Sequence, residues 1–544
     1  MSDALGGETP PEETGQSAGP SVGRVLANAS LILTIAALAS RLLGWIRLLV
    51  IGSEFGASSE LDAYFAAFRI PDAIFQLVVA GALSAALIPV FSGYRARGEE
   101  KEAWRLASSV INLVLIALAI FSAVMAVLAP WVVPIIAPGF DAPTTELTVK
   151  LTRLMLLSPV LVGMGAVVTG LLNSYGRFAV PAFAPLVYNL AIIAAAVVLA
   201  PMLGIEGLAI GVVVGSLLHL AIQLPQLRQL GRGHYDLRIG LGDPGVRQVA
   251  LLMGPRLLGL AAGQLNFIVS TVLASNLAVG SVTAYNYAFQ LSQIPVGVLG
   301  VSVAVALFPT FSRDAALGRI DEIRRQLSAS LRLLIFLAAP LTAIMIVLAG
   351  PIAAVFFQYG LFSAAATERT ASALVFFSIG LTGHIVVHVM TRAFYAMQDT
   401  RTPVLWAIVA VAINVPLMVL LSGPMGIEGL ALALSISATL EVLALVWALR
   451  RRIDSIEEAE VLRSGARSAL AAVVAGVAMF GGLTAAQAWL SATLANGAGR
   501  VLLLLVLAGG GTGIYLLVAA LMRSEELAQV RRYFSRRRGR ASAL

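Results

Sequence analysis

The chain has 544 residues, of which 59% are hydrophobic and 12% are charged, and its mean hydropathy is +0.90. This composition excludes a soluble globular protein and predicts a polytopic membrane protein. Because the sequence contains no cysteine, disulfides, thiolate metal sites and cysteine nucleophiles are excluded. The net charge of +8 is typical of arginine-rich cytoplasmic loops in a membrane protein, so we expect no nucleic-acid partner.

The predicted elements are all helices. Residues 1–22 are polar and lack the apolar core of a signal peptide, which predicts a disordered cytoplasmic tail. After this tail, apolar runs of about 20 residues, the length that crosses a bilayer as a helix, recur along the whole chain. The fourteen predicted spans are 24–52, 61–93, 105–129, 147–173, 180–201, 204–227, 248–276, 281–311, 325–349, 367–396, 403–422, 425–449, 465–490 and 497–522.

The turns between the spans differ in charge. Turns after even-numbered spans carry most of the arginines, such as Arg95 and Arg401, whereas turns after odd-numbered spans carry mainly acids, such as Glu54 and Glu206. Since basic loops stay in the cytoplasm, this pattern predicts a multi-pass protein with both termini inside the cell. The basic tail 524–544 fits that side, where it would contact anionic membrane lipids.

An internal repeat is the most informative feature of the sequence. Residues 62–71 align with residues 283–292, and "GIEGLA" occurs at 204–209 and again at 426–431. Each copy holds six spans, an even number, so both copies cross the membrane in the same direction. The predicted domains are an N-lobe with spans 1 to 6, a C-lobe with spans 7 to 12, and a final helix pair: 23–230, 245–452 and 463–523.

Four arginines lie inside predicted spans: Arg41, Arg47, Arg69 and Arg256. If all four faced lipid, they would cost about 10 kcal/mol on insertion scales, so they must face protein or water. A chamber between the lobes would bring them together, and arginine is suited to forked hydrogen bonding of phosphate. The alternative is that each arginine snorkels to an interface or pairs internally, for example Arg69 with Asp62.

Other polar residues of the spans give weaker signals. Asn286 and Gln290 on span 8 face either the chamber or neighbouring helices. The spacing of His384 and His388 can hold zinc, but no third ligand is evident, so we expect no bound metal. We also expect no cofactor and no catalytic residue. Because no Walker A sequence occurs, we expect the energy to come from a coupling cation, the membrane potential or the substrate gradient.

Three blocks carry a resemblance to a known family: "GLLNSYGRFAVPAFAPLVYN" (170–189), "GSVTAYNYAFQLSQIPVGVLGVSVAVALFPTFSR" (280–313) and "RAFYAMQDTRTPV" (392–404). They resemble the MurJ (MviN) family of lipid II flippases, part of the multidrug/oligosaccharidyl-lipid/polysaccharide (MOP) exporter superfamily. The resemblance implies a transporter rather than an enzyme. In that family, two lobes enclose a cationic cavity for the pyrophosphate and sugars of lipid II, and the last two helices form a groove for its polyprenyl tail.

The resemblance also implies a function and a site. The function is movement of lipid II, a lipid-linked peptidoglycan precursor, across the bacterial cytoplasmic membrane by alternating access, for cell-wall synthesis. Arg41 and Arg47 match paired arginines of the family's first helix, of which Arg47 is the essential one, and Asp62 and Arg69 match positions in its second helix. The predicted headgroup site is Arg47, Arg41, Arg69, Arg256, Asp62, Gln290 and Asn286.

The sequence departs from the family at positions where charged residues are common: Leu48, Phe75, Gln76, Ala80, Phe289 and Gln290. We expect Arg256 to compensate for the missing cations. The alternatives are an exporter of another polyprenyl-linked glycan, a cation-coupled drug antiporter, a membrane glycosyltransferase and a scaffold for cell-wall synthesis. An antiporter would need deep acids, of which Glu441 is the main one, and a transferase would need metal-binding acid pairs, which are absent from the sequence.

Overall fold

The structure is a computed structural model that describes residues 22–78, 82–230, 235–489 and 497–529. Within these ranges, the structure does not describe the side chains of residues 22–32, 77–78, 82–85, 254–259, 262 and 489. Ala80, the side chain of Arg256 and most of the two expected tails therefore fall outside the described residues.

Every regular element of the described residues is helical, and short turns join most of them. The helices are α1 (Val22–Phe55), α2 (Ser59–Val78), α3 (Ala82–Ala96), α4 (Glu100–Ile136), α5 (Ala142–Met155), α6 (Leu157–Ser174), α7 (Ala179–Val198), α8 (Ala200–Leu203), α9 (Ile205–Ala221), α10 (Leu224–Leu230), α11 (Pro244–Ser275), α12 (Ser281–Pro295), a π-helical segment (Val296–Val301), α13 (Ser302–Ala316), α14 (Ile320–Val347), α15 (Ala349–Phe357), α16 (Ala364–Ile379), α17 (Leu381–Ala396), α18 (Arg401–Met425), α19 (Ile427–Ile453), α20 (Glu458–Trp489) and α21 (Gly497–Leu521).

The described helices confirm an all-α polytopic membrane protein. Eleven segments are long and apolar enough to cross a membrane, three of them made of neighbouring helices joined end to end (α5 with α6, α9 with α10, and α12 through α13). The pair α16 and α17, bent by 47° at Gly380, makes a twelfth. The other two predicted spans, 61–93 and 248–276, include residues or side chains outside the description. The count of fourteen spans therefore stays a prediction.

The internal repeat is visible in the structure as matching local contacts. The Asp141 carboxylate accepts a hydrogen bond from the amide three residues later, and Ser363, 222 positions further on, does the same. Gly207 and Gly429 each lie so close to the carbonyl eight residues earlier that a Cβ there would overlap it. These paired contacts agree with the internal repeat, and we call α1–α10 the first lobe and α11–α19 the second lobe.

The helices α20 and α21 lie beside the second lobe and pack against α14. The Tyr515 hydroxyl donates to the carbonyl of Phe336 at 2.7 Å. One turn earlier on α14, the Arg332 guanidinium lies 2.9 Å from the Glu460 carboxylate and 3.3 Å from the Glu525 carboxylate. These contacts fasten the helix pair to the second lobe.

The molecule has two opposite faces, which we name by their turns. The arginine-rich face carries the turns around residues 97, 177, 319, 400 and 454, and the acid-rich face carries those around residues 57, 139, 204, 278, 360 and 426. The alternation follows from the helix order, because each spanning element returns the chain to the other face.

Candidate functional site: a cationic chamber between the lobes

The two arginines of α1 lie deep in the helix. Arg41 is exposed and Arg47 is half-buried. Neither side chain makes a hydrogen bond or an ion pair within the part of the chain that the structure describes. A cavity of about 340 Å³ runs along the exposed face of α1 and is lined by Leu33, Thr34, Ala37, Leu38 and Arg41. Both cations are therefore available to a ligand.

Arg47 has polar neighbours on two other helices of its lobe. It lies within electrostatic range of the Asp72 carboxylate on α2 and of the phenols of Tyr64 and Tyr188. Asp72 is also within range of Arg69. Together with Arg41, the first lobe thus holds three cations and one anion in this region, which leaves a net positive charge.

Arg69 bridges the two lobes. Its Nε donates to Thr271 Oγ1 on α11 at 2.7 Å, and its Nη2 donates to Asn286 Oδ1 on α12 at 2.6 Å. The guanidinium also lies over the ring of Phe267, 5.5 Å from its centroid. These three partners belong to the second lobe, so Arg69 acts in this structure as an interlobe contact rather than as a free cation.

Asn286 and Gln290 occupy successive turns of one face of α12. Asn286 orients its amide by donating from Nδ2 to the Val282 carbonyl at 2.7 Å while accepting from Arg69. Gln290 is exposed beside it. Gln290 is also the position that Arg69 occupies in the first copy of the repeat, so the charge of this site is asymmetric between the lobes.

Asp62 is almost completely buried, with 3% of its surface exposed. Its carboxylate accepts from the Gly280 amide at 2.7 Å, the Thr283 amide at 2.8 Å and the Thr283 hydroxyl at 2.7 Å. These are free amides at the start of α12, where a carboxylate is favoured by the helix dipole. Asp62 therefore fastens the first lobe to the second on the acid-rich face.

Close backbone packing completes the seal on that face. The Leu361 amide donates to the Ser53 carbonyl at 2.8 Å, and Gly360, which has φ of +56°, lies directly against the same carbonyl. Gly280 has φ of +86°, and a Cβ there would lie 2.6 Å from the Ala57 carbonyl oxygen. Only glycine allows both the positive φ and this approach.

The contacts between the lobes differ between the two faces. Within the described residues, the closest backbone contacts between the lobes other than those of α11 are α2 with α12 and α1 with α15, and both lie near the acid-rich face. In the part of the chain that the structure describes, α11 contacts α2, α3 and α4 of the first lobe. Among the described residues, the lobes are thus sealed directly on the acid-rich face, whereas toward the other face they meet through α11.

At the positions where the sequence departs from the family pattern, the residues take part in packing or in local hydrogen bonds. Leu48 is buried, and its carbonyl accepts from the Tyr287 hydroxyl at 3.1 Å. The Phe289 ring contacts the Phe267 ring, with centroids 5.3 Å apart. Gln76 hydrogen-bonds the Asp72 carboxylate. These positions shape the chamber wall without adding positive charge.

The structure identifies three site residues that sequence reasoning missed: Thr271, Gly280 and Thr283. One signal was available for Thr283, because the repeat aligns it with Asp62. Thr271 could be found only from the packing of α11 against α2. Among the described residues, no group of three potential metal ligands occurs, and the pair His384 and His388 has no third partner of that kind.

The fold and the chamber define a class: a two-lobed helical membrane transporter built from parallel repeats, with a cationic space between the lobes. Comparison with known proteins gives the family. The sequence profile described as "Lipid II flippase MurJ" matches residues 51–497. The chain therefore belongs to the MurJ family.

Individual relatives agree with this assignment. A lipid II flippase MurJ of Burkholderia cenocepacia is 35% identical over 428 residues, which cover 76% of this chain and 82% of the relative. A solved structure described as lipid II flippase MurJ in an inward closed conformation has a TM-score of 0.77 at 23% identity and covers 91% of this chain and 99% of its own. An inward-facing multidrug resistance MATE family transporter of the MOP superfamily has a TM-score of 0.66 at 14% identity and covers 79% of this chain and 99% of its own. The likeness to the two solved structures concerns the fold.

Proposed function

We propose that this chain is a flippase that moves lipid II, a polyprenyl-pyrophosphate-linked peptidoglycan precursor, across the bacterial cytoplasmic membrane. The observation that carries the proposal is that Arg41 and Arg47, inside a membrane-spanning helix, make no hydrogen bond or ion pair with any described residue in a member of the MurJ family. A pyrophosphate presents several anionic oxygens, and guanidinium groups bind such oxygens through paired hydrogen bonds.

The arginine-rich face is assigned to the cytoplasm, with both termini on that side. The chamber then opens inward, toward the leaflet in which the precursor is made, and Asp62 with the acid-rich turns closes the outer end. The domain limits proposed from the sequence, 23–230 and 245–452, place the chamber between an N-lobe and a C-lobe. The tail of the substrate remains in lipid beside 463–523, the helix pair fastened to α14.

The proposed cycle follows from the charges. Arg47 and Arg41 capture the pyrophosphate from the cytoplasmic side. The anion then competes with Asn286 and Thr271 for Arg69, which weakens the interlobe contacts of that guanidinium. Rocking of the lobes breaks the Asp62 contacts and exposes the headgroup outside. Arg256, Asn286 and Gln290 are assigned to the same headgroup site from the opposite lobe.

In this cycle the substrate moves but no covalent bond is made or broken, so the proposal involves no catalytic residue and no cofactor. A coupling cation or the membrane potential would supply the energy. Since transfer of a doubly charged headgroup moves charge relative to the membrane, the potential acts directly on such a step, by about 2.3 kcal/mol per charge and 100 mV.

The test is replacement of a bacterium's own flippase by this chain and measurement of where lipid II resides. When the host flippase is shut off, cells carrying this chain should keep lipid II available on the outer leaflet, and cells carrying Arg47→Gln should accumulate it inside. Arg177→Gln, which removes an exposed arginine from a turn of the arginine-rich face, is the matched control and should behave as the parent. Unchanged lipid II in Arg47→Gln cells would overturn the proposal.

A further inference from the structure

The segment that connects the two lobes has an unusual surface. Between α10 and α11, residues 235–240 have no regular secondary structure and residues 241–242 form a turn before α11 begins. Alternate side chains of this segment are large, apolar and exposed: Leu237 at 91%, Ile239 at 57% and Leu241 at 74%. We call residues 235–241 the interlobe strap. Such a row of apolar side chains marks a contact with another apolar phase.

The interlobe strap is fixed against α4 by hydrogen bonds to its backbone. Asn112 Nδ2 donates to the Asp236 carbonyl at 3.1 Å and to the Arg238 carbonyl at 2.9 Å. The Asp236 amide donates to Ser108 Oγ at 3.1 Å, and the Tyr235 hydroxyl donates to Asn112 Oδ1 at 2.6 Å. Asn112 thus uses both ends of its amide to hold this irregular segment, whose apolar side chains remain exposed.

The level of this contact along α4 can be placed relative to the bilayer. Exposed large apolar side chains of α4 begin at Leu115 and end at Ile135. Twenty residues of helix rise about 30 Å, which equals the thickness of the hydrocarbon core. Ser108 and Asn112 lie just before this stripe on the side of the arginine-rich face. The interlobe strap therefore lies at the boundary between hydrocarbon and headgroups.

The charges beside the interlobe strap agree with that level. Arg228, Arg238 and Arg247 are exposed close to it in sequence, before, within and after the segment. Basic side chains at the headgroup level are attracted to anionic lipids, and a tyrosine such as Tyr235 is favoured at the same interface.

From the exposed row, its continuity with the lipid-facing stripe of α4 and the flanking arginines, we infer that the interlobe strap is a membrane anchor. Leu237, Ile239 and Leu241 insert among the acyl chains of the leaflet at the arginine-rich face, and the arginines contact its anionic headgroups. The covalent connection between the lobes is thereby held at the membrane surface beside α4. This inference does not depend on the identity of the transported lipid.

The absence of native cysteine allows a direct test of depth. Leu237→Cys and Ile239→Cys in the full chain are labelled with a fluorophore and reconstituted into vesicles of phosphatidylethanolamine and phosphatidylglycerol. Ile120→Cys on the lipid-facing side of α4 is the deep reference, and Leu317→Cys, an exposed leucine in a turn of the same arginine-rich face, is the aqueous reference.

We expect nitroxide lipids labelled near the headgroup to quench the reporters at 237 and 239 more strongly than lipids labelled at the chain end. The reverse order is expected at 120, and iodide in the buffer should quench only at 317. Iodide quenching at 237 equal to that at 317 would overturn the proposal. Quenching that depends on the protein-to-lipid ratio, and not on the position of the nitroxide in the lipid, would also overturn the proposal. It would indicate that the interlobe strap contacts a second copy of the chain.

A second variant tests how the interlobe strap is held. Asn112→Ala removes the donor to two carbonyls and the acceptor of Tyr235. The reporter at 237 should then lose part of its nitroxide quenching and become more accessible to iodide. Unchanged quenching in this variant would contradict the role of Asn112 in setting the depth.

Discussion

The carboxylate of Asp62 is hydrogen-bonded to Thr283, the residue that occupies its own position in the second copy of the repeat, 221 residues later. Two equivalent residues can touch only where the axis that relates the copies passes between them. The axis therefore crosses the acid-rich face between α2 and α12. Any rocking of the lobes that opens this face must separate these two residues.

We expect Asp62→Ala to weaken closure of the acid-rich face. The change leaves two amides and a hydroxyl of α12 without their buried acceptor, at about 1 to 3 kcal/mol for each unsatisfied group. Closure can be followed in a chain with Ser53→Cys and Leu361→Cys, since the backbones of these residues are hydrogen-bonded at 2.8 Å. The rate of disulfide formation should fall in the Asp62→Ala background.

Thr283 provides the graded controls for this experiment. Thr283→Ser keeps both donors and should cross-link at the parent rate, whereas Thr283→Val keeps only the amide and should give an intermediate rate. If the chain with Asp62→Ala cross-links as fast as the parent, Asp62 does not hold the lobes together.

Gly139 tests the steric part of the seal. It lies in the turn before α5 and packs against the Ser275 carbonyl of the other lobe so closely that a Cβ would overlap the oxygen. Gly139→Ala should therefore slow formation of the same disulfide. Gly350→Ala is the matched control, because no atom lies within 4 Å of the added Cβ. Equal rates of disulfide formation in the two variants would show that the close packing at Gly139 does not contribute to closure of this face.

Arg69 should couple energetically to its partners in the second lobe. Hydrogen bonds to a charged donor contribute about 1.5 to 3 kcal/mol, so a double-mutant cycle of Arg69→Gln with Asn286→Leu should show a coupling energy in that range. Thermal unfolding of the purified chain in detergent gives the four values. Arg69→Lys keeps the positive charge but lacks the forked guanidinium that bonds two partners, so it should retain less than half of the coupling energy. Additive effects would place Arg69 outside the interlobe contact.

The sequence was sufficient for the class of fold, because hydropathy and the repeat depend on local pattern. It also located Arg41 and Arg47 correctly inside a span, because the free-energy cost of placing an arginine in lipid can be judged from a single helix. The partners of Asp62 and Arg69 were not predictable in the same way. Thr271 lies on a helix of the other lobe and Gly280 in the turn before another, and which amides or hydroxyls meet a given charge depends on how the lobes dock.

Asp399 should make stability depend on pH at the start of α18. Burial would raise the pKa of this carboxyl, but hydrogen bonds from Thr402 and Arg401 and the charge of Arg452 hold the pKa below its ordinary value. The folded state thus gains stability above the ordinary pKa of about 4, and this part is lost as the pH falls below that value.

The measurement is the melting temperature of the purified chain between neutral and acidic pH. The parent should lose more stability toward low pH than Asp399→Asn does. Asp321→Asn, at an exposed carboxylate on the same face, should follow the parent curve. Parallel curves for the parent and Asp399→Asn would contradict the role assigned to this carboxylate.

The most direct test of the central claim is the affinity of the purified chain for lipid II, compared between the parent, Arg47→Gln and Arg177→Gln at one fixed salt concentration. If Arg47 grips the pyrophosphate, its loss removes about 1.5 to 3 kcal/mol and weakens binding roughly 10-fold to 100-fold. Arg177→Gln should bind as the parent does. Parent-like affinity in Arg47→Gln would contradict the account of the chamber as the headgroup site.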